Sequence, residues 1–303
     1  MSDLPADDFA IVDAHQHFWD LERNPTPWLS GPVRKPFRYG EYSAICRTYM
    51  PPDYRRDAGT NRIVKTVHIE AMRNNNPVAE TRWLDEIAAE YGLPSAIVGD
   101  VAFADDNAAE VLAGHAASPL ARGVRNYPAA ATDRRDAKRG APGSMDDPKW
   151  RVGYALLEQH SFSYDLQTPW WHLDAAAELA AAFPRTQMIV LHAGLPADRS
   201  PEGLAGWRKA METVAREPNV AVKISGIGIK GKPWTLEDNG PIIRDTIAIF
   251  GVDRCMFASN FPVDGLVGSF ETIYAGFRAA VADRPLAERR KLFHDNAVRI
   301  YRL

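Results

Sequence analysis

Long apolar runs are missing from this sequence. No segment approaches the roughly 18 consecutive apolar residues that a bilayer crossing requires, so no membrane span is expected. Cysteine is scarce: Cys46 and Cys255 stand far apart and form no closely spaced metal or redox motif. Reduced thiols in a cytoplasmic protein are the expectation, with a disulfide between the two left open. Excess charge of one sign is also missing. A formal charge of −3 predicts no broad affinity for nucleic acid or anionic membrane. The opening MSDLPADDFA is acidic and lacks the basic start and apolar run of a secretory signal. Low-complexity segments and closely matching internal repeats are lacking as well.

What is present is an ordinary globular composition, with 46% hydrophobic, 10% aromatic and 25% charged residues. A chain of 303 residues can bury a large core, and one elaborated domain spanning 1–303 is expected. Short β-branched runs followed by turn residues and alanine-rich stretches recur along it. Strands are expected at Ile11–Ala14, Ile63–Ile69, Ser95–Val101, Gly123–Arg125, Phe162–Leu166, Met188–Leu191, Val220–Ile224 and Met256–Ala258, all short and apolar enough to be covered on both faces. Helices are expected at Val78–Tyr91, Asn107–Ala117, Leu173–Phe183, Leu204–Glu217 and Pro241–Phe250. In the first, Trp83, Leu84, Ile87 and Ala88 make the apolar stripe and Glu80, Arg82, Asp85 and Glu86 the wet side. Eight strand–helix units close most naturally as a (β/α)8 TIM barrel, although a doubly wound open sheet uses the same local pattern.

Two interruptions exceed ordinary loops. Residues 18–61 carry Pro25, Pro27, Pro32, Pro36, Pro51 and Pro52 among Trp19, Trp28, Phe37, Tyr39 and Tyr42, which reads as an ordered excursion partly covering the first strand end. Residues 128–150 are rich in Arg, Asp, Gly and Pro, and suit either a mobile lid or a solvated loop.

Chemistry concentrates at the strand ends. VDAHQHFWD closes the first strand, and because side-chain direction repeats every two residues, His15 and His17 project together at the rim. Paired imidazoles there can ligate a cation, donate to a developing oxyanion or shuttle a proton. His192 ends the sixth strand. At the second strand Glu70 lies nearer the rim, suited to ligation or to positioning water, while His68 packs or hydrogen-bonds lower down. In RGVRN, Arg125 is placed to meet a substrate carboxylate, whereas Arg122 suits a helix end or a surface ion pair. Lys223, inside an apolar strand, requires a partner: a substrate anion or an internal carboxylate. No glycine-rich fingerprint follows the first strand, which disfavours a dinucleotide; neither nicotinamide nor flavin is expected.

Taken in order, VDAHQHFWD, VHIEA with PVAETRWLDEIA, RGVRN, LHAGLP, VKISG and FASNFPVD resemble the lactonase-like hydrolases of the amidohydrolase superfamily, related to sugar lactonases and 2-pyrone-4,6-dicarboxylate lactonase. The resemblance spans strands one to eight. It implies a distorted (β/α)8 barrel, water attack on a sugar or carboxylated lactone in carbohydrate or aromatic catabolism, and metal dependence that varies among members. At strand eight the family presents an aspartate that orients or activates water, where this chain has Asn260. An amide can hold water but cannot take its proton. Three readings follow in order: His192 is the base, Asp264 reaches back from the following loop, or the chain performs another reaction.

The expected reaction opens a small anionic or polyhydroxylated lactone to its hydroxy acid, with His192 accepting a proton and His15 and His17 polarising the carbonyl either directly or through a cation. Arg125 and Lys223 would hold a polar substituent, and Tyr164 and Trp170 would line the pocket. The expected cofactor is none or a weakly held zinc or manganese ion on His15, His17, Glu70 and His192, since a neutral Asn260 removes one charge that would retain it. No structural zinc is needed for folding. A homo-oligomer stays open. The alternatives are a metal-dependent decarboxylase of an aromatic or unsaturated acid and a sugar-acid binding protein without catalysis.

Overall fold

The computed structural model describes residues 10–31, 37–71 and 76–303. Pro32 and Pro36 of the first excursion, and most of the acidic opening stretch, lie outside the described residues. Eight parallel strands run in sequence order, each hydrogen-bonded to the next. They are β1 Ile11–Gln16, β2 Ile63–Ile69, β3 Ala96–Asp100, β4 Ala121–Asn126, β5 Ser163–Leu166, β6 Met188–Val190, β7 Val220–Ile224 and β8 Cys255–Phe257. Each is followed by a helix: α1 Pro51–Ala58, α2 Pro77–Tyr91, α3 Ala108–Ala116, α4 Pro148–Ala155, α5 Leu173–Ala182, α6 Pro201–Val214, α7 Leu236–Phe250 and α8 Phe270–Ala280, with α9 Asn296–Tyr301 at the end. This is the distorted (β/α)8 TIM barrel, and none of the described helices is long and apolar enough to cross a membrane.

Closure between β8 and β1 is confined to the rim. A parallel bridge joins Gln16 and Phe261, the Asn260 amide donates to the His15 carbonyl at 2.8 Å, and the His17 amide donates to the Phe261 carbonyl at 2.8 Å. Asp13 reinforces the seam. Its carboxylate accepts from the Ser259 amide (2.8 Å), the Ser259 hydroxyl (2.6 Å) and the Tyr54 hydroxyl (2.7 Å), all buried. The groups that close the barrel thereby hold His15, His17 and Asn260 side by side.

Inside the barrel, Val12, Ala14, Val67, Ile69, Val98, Ile189, Leu191 and Met256 fill the axis, with Ile300 and Tyr301 of α9 packed against them. The other strand faces pack under the helices, which explains the near-continuous apolar runs. Two helix starts differ from the sequence expectation, each for a capping reason. The last of the expected helices begins at Leu236 and not at Pro241, because Thr235 accepts the Asp238 amide at 3.1 Å. The one before it begins at Pro201 because Ser200 accepts the Gly203 amide at 3.0 Å. Glu80, expected on the wet side of α2, is instead buried. It accepts the Ala71 amide at 2.8 Å and meets His68 Nε2 at 3.2 Å, so a helical carboxylate secures the end of β2.

Candidate active site

A cavity of about 470 Å³ opens at the C-terminal ends of the strands, the end at which such barrels carry their chemistry. Its floor is made by His17, Glu70, Arg125, Tyr127, Gln167, His192 and Asn260, from the ends of β1, β2, β4, β5, β6 and β8. Its cover comes from the first excursion: Trp28, Phe37, Arg38 and Tyr42. Trp28 and Phe37 stack with ring centroids 5.9 Å apart, and Phe37 meets Tyr42 at 4.9 Å. Burying these rings together holds the excursion over the mouth.

The three rim histidines converge. His15 and His17 approach with their Nε2 atoms 3.2 Å apart, and the His15 ring centroid lies 4.8 Å from that of His192. His15 is fully buried behind the cavity, while His17 and His192 line it. Burial holds all three imidazoles well below their ordinary pKa; the nearby cations Lys223 (for His15), Arg125 (for His17) and Arg38 (for His192) act in the same direction. They are neutral, so each carries one N–H. His17 Nδ1 lies 2.7 Å from the Ile69 carbonyl, which can only accept, so Nδ1 is the donor and Nε2 the acceptor. His15 Nε2 then donates to His17. Direct polarisation of a substrate carbonyl by these two rings needs a free N–H on them, and this chain of hydrogen bonds leaves none.

His192 stands on strained backbone. His192, Ala193, Gly194 and Leu195 all have positive φ, at 55°, 50°, 69° and 57°. For the three non-glycine residues this costs about 1–2 kcal/mol each. Tertiary bonds hold the turn: Trp207 Nε1 donates to the Ala193 carbonyl at 2.7 Å, and His192 Nδ1 pairs with Ser225 Oγ at 3.0 Å. Gly226 makes room for it, since a Cβ there would lie 2.5 Å from His192 Nδ1 and 2.6 Å from Arg38 Nη2.

Asn260, buried and at φ 55°, presents its amide NH2 to Asp264 Oδ1 at 2.6 Å. Asp264 also accepts from the Tyr39 hydroxyl at 2.9 Å and from the Gly226 amide at 3.0 Å, with Arg38 Nη2 3.5 Å away. Burial raises its pKa, opposed by Arg38 and these donors. A carboxylate surrounded only by donors is an acceptor, so the Asn260 amide is turned with its oxygen away from Asp264. Asp264 does reach back to Asn260, as one of the three readings required, but both of its oxygens are engaged.

Arg125 and Glu70 are paired. Arg125 Nε donates to Glu70 Oε1 at 2.7 Å, Nη2 to the Glu70 carbonyl at 2.5 Å, and Nη1 to Gln167 Oε1 at 3.3 Å. Lys223 is withdrawn from any substrate: its Nζ is fully buried 2.7 Å from Asp165 Oδ2, which also accepts from the Tyr301 hydroxyl at 2.7 Å. Desolvation pushes the lysine pKa down to about 8, with Asp165 opposing. Tyr164 and Trp170 are absent from the described lining of the cavity. Tyr164 faces the helical layer among Phe103, Trp150 and Tyr154, and Trp170, in the turn after β5, packs on Gly206 of α6. Arg122 lies at the other end of β4, donating to the Pro119 and Ala121 carbonyls at 2.8 and 3.0 Å. Sequence reasoning missed Arg38, Tyr127 and Gln167. Tyr127 and Gln167 directly follow β4 and β5, the same positional signal that singled out Glu70.

Among the described residues no group of three or more His, Cys, Asp or Glu side chains is arranged to hold a cation. His15 Nε2 and His17 Nε2 are close enough to share one, but Glu70 Oε1 is held by Arg125 and both oxygens of Asp264 by Tyr39, Asn260 and Gly226. Only Glu70 Oε2 is left without a partner on these two carboxylates, and since no third ligand is grouped with the imidazoles among the described residues, the donor set as placed does not fit a tightly held ion.

The sequence matches the amidohydrolase family over residues 12–303. An uncharacterised protein of Sinorhizobium fredii, y4mH, is 42% identical over 297 residues, 98% of this chain and 99% of its own. L-fucono-1,5-lactonase of Burkholderia ambifaria is 28% identical over 298 residues, 96% of this chain and 95% of its own. Among solved structures, an amidohydrolase from Burkholderia multivorans with bound zinc superposes with a TM-score of 0.78 at 24% identity, over 97% of this chain and 100% of that one. A 2,6-dihydroxybenzoate decarboxylase from Rhizobium superposes with a TM-score of 0.66 at 16% identity, over 97% and 98% of the two chains. At these identities the solved structures establish the fold alone.

Proposed function

The chain belongs to the amidohydrolase family, and from that premise we propose that it hydrolyses a small sugar-acid lactone to its open hydroxy acid. The observation that carries the reading is the meeting of His192, Asn260 and Arg38 around one cavity. Likeness to L-fucono-1,5-lactonase over 96% of the chain supports it.

His192 Nδ1 lies 3.0 Å from Ser225 Oγ, which can accept its N–H; in the reacting tautomer Nδ1 donates to that hydroxyl and neutral His192 keeps a lone pair on Nε2. Water held by the Asn260 carbonyl oxygen attacks the lactone carbonyl, and His192 takes its proton. Negative charge grows on the former carbonyl oxygen. Arg38 is the stabilising donor, because its Nη1 is buried without a hydrogen-bond partner among the described residues. The tetrahedral species collapses by breaking the bond to the ring oxygen, which receives the proton from His192. His15 and His17 position these groups and perform no proton transfer.

The test is acid release from a panel of sugar and carboxylated lactones, followed with a pH indicator and by mass spectrometry, before and after chelation. Ring opening without nicotinamide or flavin is expected, and activity should survive chelation. Loss on chelation with rescue by zinc or manganese would show that a cation completes the site. Carbon dioxide release from hydroxybenzoates, with no lactone opened, would establish the decarboxylase reading instead.

A further inference from the structure

We infer that Glu70 is a specificity-determining residue: by neutralising Arg125 it makes the cavity select an uncharged polyhydroxylated ring over a ring bearing carboxylates. This rests on the lactone reading and narrows its substrate class.

Two guanidinium groups line the cavity, Arg38 and Arg125, and a carboxylated lactone would at first sight be drawn to either. Arg125 is already charge-paired. It is buried, and three of its five N–H groups donate within the protein, two of them to Glu70. Glu70 is itself fully buried and lines the same cavity, so a carboxylate placed against Arg125 would also lie against a desolvated anion. Like charges brought together in a dry site repel more strongly than one further hydrogen bond attracts. Arg38 lies beside the buried carboxylate of Asp264, which leaves the pairing of fixed charges around the cavity balanced at two cations and two anions.

The free oxygen of Glu70 points to the same ligand class. Oε1 is held by Arg125, but Oε2 is buried with no hydrogen-bond partner among the described residues. A buried, unpaired carboxylate oxygen is costly and is satisfied by a donor. A ring hydroxyl supplies one, whereas a ligand carboxylate brings only further acceptors. Gln167 Oε1, already shared with Arg125, offers a second acceptor on the same wall. The opposite wall is aromatic, formed by Trp28, Phe37 and Tyr42, and suits the C–H face of a sugar ring.

The experiment compares two non-hydrolysable probes by calorimetry, a polyhydroxylated δ-lactam and a pyridine dicarboxylate, and in parallel compares kcat/KM for sugar and carboxylated lactones. Wild-type protein should bind the lactam at least tenfold more tightly. In Glu70→Gln, which retains an oxygen for Arg125 but removes the charge, dicarboxylate affinity should rise at least tenfold. In the double variant Glu70→Gln with Arg125→Met that gain should disappear. Tighter wild-type binding of the dicarboxylate would overturn the inference even if neither variant folds, and so would an unchanged probe preference in folded Glu70→Gln. If no lactone is opened but the lactam is preferred, the hydrolysis reading fails and the specificity assignment stands.

Discussion

Two long segments leave the rim of this barrel, and only one of them builds the site. Residues 18–61 contribute Trp28, Phe37, Arg38 and Tyr42 to the cavity, whereas no residue of 128–150 is among the described lining. The difference follows from composition. The first segment carries rings that are satisfied only by burial, and they pack on one another over the mouth. The second carries charges that are satisfied outward. Arg139 bonds Asp146 and reaches Asp174 and Glu178 at α5, and the Ala131 amide donates to His172 at 3.0 Å. A long loop beside an active site is thus a cover or a bystander according to what its side chains must bury.

The largest expected effect that sharpens this contrast is at Arg38. Arg38→Met should lower kcat/KM by about 10- to 100-fold, the worth of a charge-assisted hydrogen bond, and the loss should fall mainly in kcat if the bond tightens on the oxyanion. A loss confined to KM would place Arg38 in ground-state binding instead. The smallest expected effect is at the counterpart. Arg139→Ala should change kcat/KM by less than about twofold, because exposed ion pairs contribute about 0–1 kcal/mol. A tenfold loss there would break the comparison by showing that 128–150 reaches the substrate during turnover.

The barrel was legible in the sequence because buried parallel strands read as short continuous apolar runs; all eight expected strands overlap observed ones, with ends shifted by at most two residues. Helix starts were less legible: the helix expected from Pro241 begins at Leu236, where the Thr235 cap decides the start. The pairing of His15 with His17 followed from period-two spacing, and His192 from its place at a strand end. The tautomers of His15 and His17 did not, since these depend on the Ile69 carbonyl, which only the fold brings near. Lys223 shows the same limit: a buried lysine needs a partner, but nothing local identifies Asp165, 58 residues away. Arg38 had no sequence signal, because an excursion has no periodicity from which to read direction.

The central claim is that His192, and not a carboxylate at strand eight, is the base. The most direct test is the pH–rate profile of the fastest lactone with wild type and His192→Asn. Burial holds the His192 pKa well below 6.5, so it remains a base into mildly acidic solution and is lost only as pH falls through that depressed value. Wild-type kcat should therefore show an acid limb below pH 6.5, and His192→Asn should lower kcat by about 10²- to 10⁴-fold and flatten that limb. An unchanged acid limb in the variant, with kcat within a few-fold of wild type, would contradict the assignment.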